Sequence, residues 1–283
     1  MSLKGAMKFF ILFICFTWAS LYSIDIQRLS LSAPEGMERA DLYYVKPKHI
    51  NAILVLSPGV NGNGKSYLES SHWVSFALKH NLGLIGISFA SSRMANSTRQ
   101  GYYYPHAGSG KILLQGIRSI FGPRKYPLLL YGFSGGAHFT ARFAEWCPEQ
   151  VLVWCAYSAM WWDNPSKNKF IPPGIIVCGE NDPRLGASLI YFKQGRVLNK
   201  PWTWLSVPHN GHSPNLQAEN FIRDYFASIL KSHISSKDII ASGIIVDIDR
   251  KVQVNHDFFR TSPTLTAWLP DIHIFDKWRK FYD

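Results

Sequence analysis

Residues 127–146 read PLLLYGFSGGAHFTARFAEW. The run PLLLY has the length and apolarity of a buried strand. Gly132-Phe133-Ser134-Gly135-Gly136 is a glycine-rich turn, and 136–146 has helical patterning that stops before Pro148. Strand, turn and helix in that order set the serine of a G-x-S-x-G pattern at the top of a sheet. The small flanking residues answer a physical need. So sharp a turn brings neighbouring segments into contact and holds the serine backbone in a disfavoured conformation. It lifts the Ser134 hydroxyl clear of the sheet and turns the Gly135 N–H and the helix N-terminus toward it. Both favour developing negative charge.

Outward from this stretch the pattern alternates. Apolar runs at 51–56, 83–89, 127–131, 151–157, 174–178 and 202–207 read as strands, after an opening meander at 24–31 and 40–45. Helical patterns fall at 66–80, 111–121, 136–146, 183–196 and 216–231, the last with Ile222, Tyr225, Phe226 and Ile229 on one stripe. Strands buried on both faces alternating with helices predict an α/β fold: a mostly parallel central sheet with helices on both faces. Sites in such sheets form at the carboxyl ends of the strands. Residues 234–283 break the alternation. A hairpin is expected from 239–246 and 252–254 around 247–251, followed by the aromatic-rich TAWLPDIHIFDKWRKF. Some 50 residues rarely support a core of their own, so the reading is a domain over 24–233 with a short C-terminal extension, 234–283, packed on it.

A serine nucleophile needs a base, and the base needs an orienting acid. The next strand ends supply both. After GIIVC comes Gly179-Glu180-Asn181-Asp182-Pro183, and after WTWLSV comes Pro208-His209-Asn210-Gly211-His212-Ser213. Asp182 is preferred to Glu180 because it lies further out on its loop, before a proline that suits a helix start. Asp163 is a weaker choice. His212 is preferred to His209 because Gly211 suits a tight turn that presents the ring inward. His209 is then a pocket-wall residue. With Gly135, a second oxyanion donor is expected from the loop Ser57-Pro58-Gly59-Val60-Asn61-Gly62-Asn63-Gly64. Val60 is the choice and Asn61 the alternative. Asn61, Phe133, His209 and Trp161 are the expected substrate contacts, and the Tyr102–Tyr104 and Trp162 loops either line the cleft or pack. His138, one turn into the helix, reads as packing behind the turn. No Cys/His spacing fits a metal, so no metal is expected.

Composition bounds the rest. The chain has 283 residues, 47% of them hydrophobic and 17% charged, and a formal charge of +11. Its mean hydropathy is −0.05. That excludes wholesale disorder and a polytopic membrane protein. The basic residues are scattered and carry no nucleic-acid motif, so no nucleic acid and no stable protein partner is expected. Lys4 and Lys8 precede the apolar run FFILFICFTWASLY, and the first acidic residue is Asp25. This order is that of a secretory signal peptide over 1–23, cut near Ala19 or Ser23, or of an anchor if uncut. A secreted or periplasmic location follows. Of Cys147, Cys155 and Cys178, only the last two end neighbouring strands within disulfide reach, and free thiols are the simpler expectation.

GFSGG as nucleophile turn, GENDP as acid loop and NGHS as histidine loop together resemble the α/β-hydrolase superfamily, over about residues 40–232. Within it the chain is similar to secreted bacterial esterases of the polyhydroxybutyrate-depolymerase and feruloyl- or acetylxylan-esterase type. The oxyanion loop departs from the usual His-Gly by reading Pro58-Gly59. The resemblance implies a serine esterase with the triad Ser134, His212 and Asp182, acting on a small or polymer-linked ester and needing no cofactor. Two alternatives stay open: a serine peptidase of the same fold, and a non-catalytic envelope or binding protein that keeps it.

Overall fold

The computed structural model describes residues 25–167, 170–231, 242–254 and 262–282. The expected signal segment and residues 239–241 of the expected hairpin lie outside them. The apolar runs become an eight-stranded sheet. Its members are β1 (Gln27–Ser30), β2 (Arg39–Val45), β3 (Ala52–Ser57), β4 (Leu82–Ala90), β5 (Leu128–Phe133), β6 (Val151–Tyr157), β7 (Gly174–Gly179) and β8 (Trp202–Val207). The spatial order is β1-β2-β4-β3-β5-β6-β7-β8. β2 is antiparallel to β1 and β4, while β4 through β8 pair parallel throughout. β3, β4 and β7 are buried along their whole length, as strands covered on both faces must be.

The helices are α1 (Lys65–Leu68), α2 (Ser71–Lys79), α3 (Arg93–Ser97), α4 (Ser109–Phe121), α5 (Gly135–Trp146), α6 (Leu185–Val197) and α7 (Leu216–Lys231). β5 shows how they cover both faces. Tyr131 packs on Trp73 of α2 and donates a hydrogen bond to Glu219 of α7 at 2.8 Å. Its neighbour Gly132 meets α5, where an added Cβ would lie 2.3 Å from the Gly136 carbonyl. Successive strand residues thus address opposite layers. The single helix expected over 66–80 is split, because Ser70 takes an extended conformation between α1 and α2.

The C-terminal extension forms a three-stranded sheet, β9 (Ile244–Asp247), β10 (Val252–Gln253) and β11 (Thr266–Leu269), in the order β10-β9-β11, followed by α8 (Ile272–Arg279). The 247–251 turn falls where the sequence places it. β11 and α8 have no counterpart in that reading. The extension covers the outer edge of β8. The Trp278 indole N–H donates to the Trp204 carbonyl at 2.7 Å, and the Ser206 N–H donates to the Tyr282 hydroxyl at 3.1 Å. The Thr203 hydroxyl also donates to the Trp268 carbonyl. The first two contacts occupy backbone groups that an edge strand would otherwise present to other chains. Trp268 and Trp278 are buried against the core. Cys147, Cys155 and Cys178 are buried free thiols. Among the described residues no helix is long and apolar enough to cross a membrane.

Candidate active site

Ser134 sits between β5 and α5 with φ 53° and ψ −111°, a conformation that L-residues avoid. The turn is over-determined by its surroundings. The Ser134 N–H donates to the Tyr157 carbonyl of β6 at 2.8 Å, and Ala137 and His138 donate back to the Ser134 carbonyl. At Gly136 an added Cβ would lie 2.1 Å from the Ser57 carbonyl oxygen and 2.6 Å from that of Pro58. Only glycine lets α5 approach the end of β3 so closely.

The loops after β7 and β8 bring two more groups to this point. His212 Nε2 lies 3.0 Å from Ser134 Oγ, and His212 Nδ1 lies 2.8 Å from Asp182 Oδ2. The ring stacks on Phe133, with centroids 4.9 Å apart. The Asp182 side chain is fully buried, and its other oxygen accepts from the Arg184 backbone N–H and guanidinium, both at 3.0 Å. Burial pushes the Asp182 carboxyl up. Hydrogen bonds from His212, from the Arg184 N–H, from Ser158 and from the Arg184 guanidinium outweigh it and leave the pKa below the ordinary value. An ionised carboxylate on Nδ1 fixes the tautomer with the proton there, so Nε2 faces the hydroxyl as an acceptor. The structure brings Ser134, His212 and Asp182 into one hydrogen-bonded chain. Glu180 is turned away to accept from the His209 N–H at 3.3 Å, and Asp163 binds Arg142 at 2.7 Å.

Val60 lies against the serine turn. A Cβ on Gly135 would come within 2.7 Å of the Val60 nitrogen and of the Tyr102 hydroxyl. The Val60 N–H donates no hydrogen bond among the described residues, and the Gly135 N–H opens α5, where helix donors lack an intrahelical acceptor. The Val60 loop is held from β2, by a residue that no motif singles out, and by Tyr102 and Asn61. Arg39 on β2 donates to the carbonyls of Asn61 and Gly62 at 2.6 and 2.9 Å, and the Asn61 N–H reaches the Tyr102 hydroxyl at 3.4 Å. The Asn61 amide exchanges two bonds with the Ser91 backbone, both 3.1 Å. Asn61 therefore lines the cleft while its polar atoms brace the loop. Asn210 does the same for the histidine loop, donating to the carbonyls of Gly211 and Ser213 and to the Tyr157 hydroxyl.

A cavity of about 320 Å³ opens at Ser134 and Gly135, walled by Tyr103, His138, Met160 and Trp161. Trp161 is half exposed and stacks on His138, with centroids 5.7 Å apart and planes at 19°. His138, expected behind the turn, is a wall of the cavity. Burial first, and Arg142 second, hold its imidazole neutral with a pKa lowered to about 3. His209 does not line this cavity. Its backbone has φ 55° and its side chain is exposed, so the pocket-wall role expected of it has no support in its position. Of the loop aromatics, Tyr102, Tyr103 and Tyr104 are buried, and only Tyr103 lines the cavity. Among the described residues no cluster of three or more His, Cys, Asp or Glu side chains could hold a metal ion.

The sequence matches no protein-family model and no curated protein. Solved structures do match. The fluorophosphonate-binding serine hydrolase FphF of Staphylococcus aureus aligns with a TM-score of 0.56 at 16% identity, over 73% of this chain and 98% of its own. A ferulic acid esterase from Anaeromyces mucronatus aligns at 0.55 and 13%, over 70% and 88%. Poly(aspartic acid) hydrolase-1 from Sphingomonas aligns at 0.53 and 17%, over 70% and 97%. At such identities the likeness concerns the fold alone: this chain has the α/β-hydrolase fold.

Proposed function

We propose that this protein is a serine hydrolase that cleaves carboxylic esters through an acyl-enzyme on Ser134. The observation that carries this reading is the Ser134–His212–Asp182 hydrogen-bonded chain at the mouth of a cavity. Ser134 Oγ attacks the ester carbonyl carbon while His212 Nε2 takes its proton. The buried Asp182 carboxylate stabilises the imidazolium. The carbonyl oxygen becomes an oxyanion facing the N–H groups of Gly135 and Val60. As the intermediate collapses, the ester C–O bond breaks and His212 gives its proton to the leaving alkoxide. Water repeats the sequence: it attacks the acyl carbon, passes a proton to His212, and Ser134 leaves with that proton while the acid departs. The segment 1–23 supports action outside the cytoplasm.

The test is labelling with a fluorophosphonate, read by intact mass, beside the Ser134→Ala variant. One adduct on the wild type and none on the variant is the expected result. A folded wild type that takes no adduct refutes the reading and leaves a binding protein on a hydrolase fold.

A further inference from the structure

The charged side chains that line the cavity at Ser134 are Arg93 and Arg184, and no carboxylate lines it. They arrive from opposite sides. Arg93 opens α3 after β4, two strands to one side of β5, and Arg184 precedes α6 after β7, two strands to the other. Four strand spacings separate those two strands, roughly 19 Å, with Ser134 midway. The nearby acids are committed. Asp182 is shared between His212 and Arg184, and Asp163 between Arg142 at 2.7 Å and Arg99 at 3.5 Å. Arg93 is exposed and forms no ion pair among the described residues. At that end the Asn61 amide is spent on the Ser91 backbone, and Asn96, which also lines the cavity, is buried.

Resting on the serine-hydrolase reading, we infer that the substrate is an ester whose acid or alcohol part carries a carboxylate, received by Arg93. A guanidinium binds a carboxylate through two parallel N–H bonds, which positions as well as attracts it. Arg184 adds field from the other end, but its guanidinium is tied to Asp182. Changing it would disturb the acid that orients His212, so Arg93 is the residue to change.

Binding is measured by calorimetry on Ser134→Ala protein, which cannot turn over ester. Two matched pairs place the charge on either side: ethyl hydrogen succinate against ethyl succinamate, and 4-acetoxybenzoate against 4-acetoxybenzamide. In one pair the carboxylate member is expected to bind at least about tenfold tighter. The preference is expected to fall to about twofold or less when Arg93→Gln is added, and to shrink as salt rises from about 0.02 to 0.5 M. Equal binding within both pairs, or a preference that survives Arg93→Gln, overturns the inference. The readout does not depend on turnover. A missing fluorophosphonate adduct therefore strikes the hydrolase reading, and equal binding strikes this one.

Discussion

His138 is only 6% exposed, and its imidazole is held neutral with a pKa near 3 instead of 6.5, by burial and then by the Arg142 charge. In the unfolded chain it regains the ordinary value. Between those two values the native state binds fewer protons than the unfolded state, so stability is full above about pH 6.5 and declines as the pH falls toward 3. From pH 6 to pH 4 the decline due to this residue is about 2.5 kcal/mol. Asp182, whose pKa is lowered on folding, acts in the same direction when protonated, so the wild-type slope alone does not isolate His138. The difference from His138→Phe does. The phenyl ring keeps the stacking against Trp161 and Tyr103, and removes Nδ1, which is buried without a hydrogen-bond partner. Urea unfolding followed by tryptophan fluorescence at pH 6, 5 and 4 should show the variant losing about 2–3 kcal/mol less than the wild type over that range. Identical pH dependence in the two proteins would refute the assignment of a buried neutral imidazole.

Three further outcomes follow from the geometry. Asp182→Asn should lower kcat about 10⁴-fold by favouring the wrong His212 tautomer while the protein stays folded, as checked by steady-state kinetics beside circular dichroism. Gly136→Ala places a methyl 2.1 Å from the Ser57 carbonyl oxygen, where both neighbours are backbone. It should destabilise by about 3 kcal/mol or abolish soluble expression, read by thermal melting. Trp278→Phe keeps most of the buried ring but leaves the Trp204 carbonyl without its 2.7 Å donor, and should cost about 1–3 kcal/mol in urea unfolding.

The sheet was legible because its strands are apolar on both faces, so each appears as a continuous run bounded by turn residues. The serine, acid and histidine were legible for a related reason: each follows the end of such a run, and the turn chemistry around Gly135, Pro183 and Gly211 singles it out. What stayed hidden depends on contacts across long sequence separations. Arg39 braces a loop 22 residues away, and Tyr102 one 41 residues away. An arginine at the start of a strand and a tyrosine in an aromatic triplet carry no local mark of that work. β11 is four residues long and gains its identity only by pairing with β9, and α8 only by packing on α7 and β11. His138 was misplaced because periodicity gives the face of a helix and not whether that face meets core or cleft.

The cover on β8 carries a consequence for the order of synthesis. The last strand of the main sheet is complete at Val207, but the hydroxyl that takes up the Ser206 N–H belongs to a residue 76 positions later, and the indole on the Trp204 carbonyl to one 74 positions later. At about 5–20 residues per second, a ribosome leaves that edge bare for roughly 4–15 s after β8 emerges. During that interval a nascent sheet with an open, apolar border is a template for any other extended chain. A stop codon anywhere before Trp278 would make the interval permanent. Shortened forms of this protein should therefore pass into aggregates even with every residue of the Ser134 cleft intact.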